Sequence, residues 1–238
     1  MIEKLDVVIG DHRLAGKLVI PQTPAGLVIS AYRCGSNRFS ARNGYAADRL
    51  AEAGFATLAF DPLPEDESHD RRNDIHIPLL AARLVEAIDW AASDPRTGAL
   101  AIGLYGVGKA APAALIAAAA RAERVGAIVS RSGRPDLAGA ALADARAPTL
   151  LIVGGEDRQV IARNLSAMKS MRGETSLELV AGAGNLFEEE GALDSALAAA
   201  AQWFAAHLRA RPLVSADRGQ ASNGSISLAR SSGLSVGA

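Results

Sequence analysis

Ala99-Leu100-Ala101-Ile102-Gly103-Leu104-Tyr105-Gly106-Val107-Gly108-Lys109-Ala110-Ala111 passes from an apolar β-type run, through closely spaced glycines, into an alanine-rich helical stretch. A strand that stops on glycines and turns directly into a helix puts that turn at the carboxyl edge of a sheet. Ligands and chemistry of open α/β sheets gather there. Two nucleotide motifs overlap this stretch. Gly106-x-Gly108-x-x-Ala111 is a loose dinucleotide fingerprint, but such a fingerprint closes the first strand of a βαβ unit and this is about the fifth strand. The next strand also ends at Ser130 without an acidic residue. Gly103-x-x-x-x-Gly108-Lys109 is a partial phosphate loop in which Ala110 stands where a magnesium-binding hydroxyl belongs. Neither motif is complete.

Outward from this turn, short apolar runs alternate with longer stretches of helical period, the pattern of a mostly parallel sheet covered by helices. Strands are predicted at Leu5–Ile9, Ala15–Ile20, Gly26–Ala31, Ala56–Phe60, Leu100–Tyr105, Ala127–Ser130, Thr149–Val153 and Leu177–Val180. Gly10-Asp11-His12 between the first two is a turn signal for an opening hairpin. Helices are predicted at Ala41–Ala53, Ile77–Ala92, Ala110–Arg121, Val160–Met171 and Ala192–Leu208, each long enough to return the chain parallel. The charged, proline-containing segment from Asp61 to Asp74 reads as an exposed loop. From Arg211 onward seven serines and four glycines without lasting periodicity read as a flexible tail. The expected organisation is one domain over residues 1–210 and a tail over 211–238.

With 49% apolar and 21% charged residues, the chain has the profile of a globular protein able to bury a large core. A net charge of −1 supplies no field to draw nucleic acid or an anionic membrane, and neither is expected as a partner. The single cysteine, Cys34, excludes an internal disulfide framework and a multi-cysteine metal cage. The opening residues lack a basic flank and apolar core, and no apolar run reaches about 18 residues, so a cytoplasmic protein is expected. Alanine-rich helix surfaces leave room for a homo-oligomer without specifying one.

Several blocks, in this order and spacing, resemble one family over about Gly26 to His207. They are Gly35-Ser36-Asn37-Arg38-Phe39-Ser40, Ile77-Pro78-Leu79-Leu80-Ala81 and Ser130-Arg131-Ser132-Gly133-Arg134-Pro135-Asp136-Leu137-Ala138-Gly139. Pro148 to Asp157, ending Gly154-Gly155-Glu156-Asp157, and Gly182-Ala183-Gly184-Asn185-Leu186-Phe187-Glu188-Glu189 complete the set. The chain resembles the dienelactone-hydrolase-like branch of the α/β-hydrolases. The resemblance implies an α/β-hydrolase fold: a mostly parallel central sheet of about eight strands with helices on both faces.

It also implies a Ser, Asp, His triad in that chain order, with the serine at the apex of a Gly-x-Ser-x-Gly elbow. By motif those positions are Gly108, Asp157 and Asn185, so only the acid is retained. Glycine has no hydroxyl, and an asparagine cannot relay a proton near neutral pH. In the loop after the third strand the family commonly has His-Gly, whose backbone helps bind an oxyanion. Here Tyr32-Arg33-Cys34-Gly35 replaces it. Loss of a triad nucleophile or base typically costs about 10^6 in kcat. Conventional serine-esterase chemistry is therefore not expected, and the resemblance implies no cofactor.

Other residues offer replacement chemistry. Cys34 is the only thiol and needs a base and a depressed pKa to serve as nucleophile, and no histidine has a position fixed beside it. His12, His69, His76 and His207 are expected in a turn, a charged loop, a helix start and the last helix. Ser130 and Ser132 read as hydrogen-bonding residues of the Ser130–Gly139 loop. Asp157 is either a water-activating carboxylate or a residue holding its loop. Asp66, Glu67, His69 and Asp70 are ligand types, but Arg71 and Arg72 lie among them and no metal site is expected. The substitutions share a sign: Arg33 enters the oxyanion loop, Lys109 follows the elbow, and the helix that opens there favours anions at its N-terminus. With Arg38 and Arg131 nearby, the expectation is a small carboxylate or phosphate held by Arg33, Cys34, Lys109 and Arg131 without being cleaved.

Overall fold

The structure is a computed structural model, and it describes residues 2–32 and 40–208. Eight strands form one sheet: β1 (Ile2–Ile9), β2 (Leu14–Pro21), β3 (Leu27–Ala31), β4 (Ala56–Phe60), β5 (Ile102–Val107), β6 (Val125–Arg131), β7 (Thr149–Gly154) and β8 (Thr175–Val180), in spatial order β1-β2-β4-β3-β5-β6-β7-β8. β2 is antiparallel to both β1 and β4, and every pairing from β4 to β8 is parallel. The helices are α1 (Ala41–Glu52), α2 (Glu65–Ser68), α3 (Ile77–Ser93), α4 (Ala111–Ala120), α5 (Ala141–Asp144), α6 (Arg158–Met168) and α7 (Ala192–His207). This is the α/β-hydrolase architecture expected from the sequence.

Two apolar layers fix the helices to opposite faces. Leu27 and Ile29 of β3 pack with α3 and α4, whereas Val28 packs with Ala46 and Leu50 of α1 and with Leu197, Ala200 and Phe204 of α7. Strand alternation thus assigns each side chain to a layer. α3 shows why its segment is helical. Leu80, Ala81, Leu84, Ala87, Ile88 and Ala91 recur at helical spacing and are all buried, and the His76 ring nitrogen accepts from the Leu79 N–H at 3.1 Å. α7 seats its Phe204 ring over Gly103, where a Cβ would lie 2.6 Å from the ring edge.

The order reverses at β3 and β5: β3 leads through α1 to β4 on one side, and β4 leads through α3 to β5 on the other. That switch point opens a crevice beyond the carboxyl ends of the two strands. Strand and helix ends differ from expectation by a few residues. β5 starts at Ile102 and runs to Val107, β6 spans seven residues, and α6 starts at Arg158 because Asp157 caps it. The segment from Asp61 to Asp74 is not loop throughout. It holds α2 and a 3-10 turn at Asn73–Ile75, and Glu67 ties it to the buried Arg83 at 2.6 Å. The flexible tail expected over 211–238 lies outside the described residues.

Candidate functional site

β5 ends in extended conformation at Val107, and Gly108 then takes φ +57°. A 3-10 turn over Gly108–Ala110 passes into α4. The two glycines of this turn are there for different reasons. A Cβ on Gly106 would lie 2.7 Å from the Ala111 Cα, so the strand can lie against the helix only without one. At Gly108 no atom of the described residues stands within 4 Å of where a Cβ would be, and the backbone there is in the left-handed region. Lys109 is exposed and makes no ion pair among the described residues.

The loops after β7 and β8 are fastened by backbone. The Gly155 N–H donates to the Val180 carbonyl at 2.8 Å and the Glu156 N–H to the Ala183 carbonyl at 3.1 Å. Gly154 lies so near that a Cβ on it would collide with the carbonyl oxygens of Ala183 and Gly184. Asp157 is partly exposed, and its carboxylate accepts from the Val160 N–H at 3.0 Å, capping α6. Asn185 is exposed and contributes its backbone: its carbonyl accepts from the Ser132 hydroxyl at 2.7 Å. Ser132 holds φ +49° to make that bridge between the loops after β6 and β8.

Beneath these loops, on the α1 and α7 side, lies a polar cluster that sequence reasoning found only in part. Arg131 ends β6, is 5% exposed, and has its Cζ 5.9 Å from the Tyr105 ring centroid and 5.6 Å from that of Phe187. Tyr105 is fully buried, and burial pushes its phenol up, with the charges of Arg131 and Arg42 opposing. Burial likewise raises the Tyr32 phenol, whose hydroxyl makes a long bond of 3.4 Å to the Asn43 carbonyl. Arg42 reaches across from α1 and donates to the carbonyls of Leu186 and Phe187. Burial first, and the charge of Arg131 second, lower the Arg42 guanidinium from its ordinary value. One signal for Arg42 was available: a cation in a helix's first turn opposes the macrodipole and needs another partner.

The expected site residues therefore divide. Gly108, Asp157 and Asn185 all lie in turns beyond the carboxyl ends of β5, β7 and β8. Lys109 lies at the elbow, and Arg131 pairs in register with Val107 but turns its guanidinium beneath the sheet edge. Arg33, Cys34 and Arg38 fall outside the described residues. Ser130, expected at the end of its strand, lies within β6 and is 1% exposed, but its hydroxyl makes none of the expected loop hydrogen bonds and finds no partner among the described residues. Ser132 bonds to the β8 loop rather than within its own. Among the described residues no three metal-ligand side chains come together, and Asp70 pairs with Arg72 at 2.7 Å.

This architecture matches solved structures. The chain is 44% identical to a dienelactone hydrolase from Anabaena variabilis ATCC 29413, with a TM-score of 0.84 over 88% of this chain and 99% of that one. The chain belongs to the dienelactone hydrolase family. A dienelactone-hydrolase-like phosphotriesterase from metagenomic libraries shares the fold at 19% identity, with a TM-score of 0.69 over 87% of this family member and 98% of that chain. Two curated Mycobacterium tuberculosis proteins, from strains H37Rv and CDC 1551, are 46% identical over 206 residues and are provisionally named phosphoribosyl transferases. Each match covers 87% of this chain and 46% of the relative, so the chain spans about half the length of the curated relatives it matches. No protein-family model matches the sequence.

Proposed function

We propose that this dienelactone hydrolase relative is a binding or regulatory protein for a small anion and does not hydrolyse esters by a serine route. One observation carries the reading. Position 108 has the left-handed backbone of an elbow apex, with no described residue within 4 Å of where a Cβ would lie, yet bears no side chain. Two further features support it. The Asp157 carboxylate is engaged in capping α6, and Asn185 offers no proton-relaying group. What binding alone leaves after the loss of such a triad is about 10^3–10^4 over water, far below an active esterase. An anionic ligand suits the cations Lys109, Arg42 and Arg131 at this edge. The name carried by the longer mycobacterial relatives also concerns a phosphate-bearing group.

The alternative is a hydrolase of the ester or lactone class working through Cys34 or Asp157. Turnover of short-chain p-nitrophenyl esters separates the two. The expected result is a rate at the uncatalysed background, unchanged in Cys34→Ala and Asp157→Asn. Clear turnover abolished by either substitution would overturn the non-hydrolytic reading.

A further inference from the structure

The cluster beneath the β8 loop has an excess of donors. The Tyr105 hydroxyl and Nε and Nη1 of Arg131 are buried without a hydrogen-bond partner among the described residues, and the buried Ser30 hydroxyl has only the Tyr32 hydroxyl beside it. They are close by construction. Ser30 and Tyr105 are register partners across β3 and β5, and Tyr105 pairs with Val129 across β5 and β6. Arg131 follows Val129 by two residues and so shares its face. Arg42 brings a second guanidinium from α1, near enough that the two charges act on each other.

Acceptors do not balance these groups. Arg131 makes no ion pair among the described residues. Of the nearby carboxylates, Glu188 and Glu189 act on Arg42, and Glu189 also accepts from the Gly184 N–H at 3.0 Å. The rings of Tyr105 and Phe187 soften the isolation of Arg131, but a π face satisfies no N–H hydrogen bond. Each buried donor left unmatched is costly, and a charged one more so. Such a set is stable when a shared acceptor enters.

We propose that Arg131, Tyr105 and Ser30, with Arg42 at the rim, bind the phosphate group of a small ligand. The donors come from β3, β5, β6 and α1, hence from several directions. A tetrahedral oxyanion can meet them with three or four oxygens, whereas a planar carboxylate offers two in one plane. This deepens the anion reading given above and moves the anion from the elbow to the α1 and α7 side of the β6 end.

Isothermal titration of the full chain with inorganic phosphate, methyl phosphate and acetate tests it. Phosphate binds at one site, and Arg131→Met weakens it about tenfold or more, as expected for losing a charge-assisted donor. Tyr105→Phe, which keeps the ring and removes only the hydroxyl, weakens it several-fold and serves if Arg131→Met does not fold. Arg121→Ala, which removes a cation paired with Asp89 at the far end of α4, leaves binding unchanged. Tighter binding of methyl phosphate than of phosphate identifies a phosphomonoester as the ligand; the reverse identifies the free ion. Absence of phosphate binding, equal binding by Tyr105→Phe and wild type, or acetate binding as tight as phosphate overturns the proposal. None of these outcomes bears on ester turnover, which tests the non-hydrolytic reading separately.

Discussion

The elbow at Gly108 and the paired loops after β7 and β8 form one crevice edge, but they differ in what each retains. At the elbow Gly108 holds φ +57°, no described residue lies within 4 Å of where a Cβ would be, and there is no side chain. Across the edge the reverse holds. Asp157 has kept its carboxylate, yet uses it to cap α6, and Asn185 acts through its carbonyl. Backbone geometry at the elbow is set by the packing of strands and helices, whereas the side chains across the edge are used to hold the fold.

Restoring both missing groups is the strongest way to break this contrast. Gly108→Ser with Asn185→His is expected to raise short-chain ester turnover by about 10^2–10^4 over the parent, part of the roughly 10^6 that a triad nucleophile and base are worth. Covalent labelling by a fluorophosphonate should accompany it. Gly108→Ser alone should give neither, since a serine without a base stays un-ionised. Turnover or labelling by the double variant would fix the register of the elbow against the Asn185 loop.

The fastening of the two loops comes next in size. Gly154→Val drives a branched side chain into the carbonyls of Ala183 and Gly184, which are backbone and cannot swing away. A loss of about 2–4 kcal/mol is expected in urea denaturation, at the upper end of overpacking costs. A loss below about 1 kcal/mol would show that the loops are not pinned by this approach. Asp157 offers a smaller, sharper test. Asp157→Ala should cost about 1 kcal/mol through the lost cap, whereas Asp157→Asn should cost little because asparagine caps as well. Equal losses from both would point to the charge rather than the cap.

The two regions also differ in how much of each was legible in the sequence. The short, mostly apolar runs of β3 and β4, buried on both faces, and the helical spacing of Leu80, Leu84, Ala87 and Ala91 mark these elements directly, so the architecture followed from run length and periodicity. Gly108, Asp157 and Asn185 were found because each sits in a local motif at a strand end. The Arg131 cluster was legible only as one cation. Its other members, Ser30, Tyr105, Arg42 and Phe187, come from β3, β5, α1 and the β8 loop, and only strand register brings them together. The end of β6 was one residue off for a related reason: the strand continues through Arg131 because β7 pairs with it as far as Ile152.

The smallest expected effect separates the two glycines of the elbow. Gly106→Ala meets the Ala111 Cα at 2.7 Å and must push α4 from the strand, so a loss of about 2 kcal/mol is expected. Gly108→Ala meets no described residue within 4 Å and is expected to bear only the cost of a non-glycine residue at φ +57°, about 1 kcal/mol. Thermal or urea unfolding of the two single variants measures the difference. Nearly equal losses would mean that the space above Gly108 is not free, and a serine there could not stand as the reconstruction requires. A smaller loss at 108 than at 106 means that the fold tolerates a side chain at the apex, so its absence reflects the chemistry of the site rather than the packing of the turn.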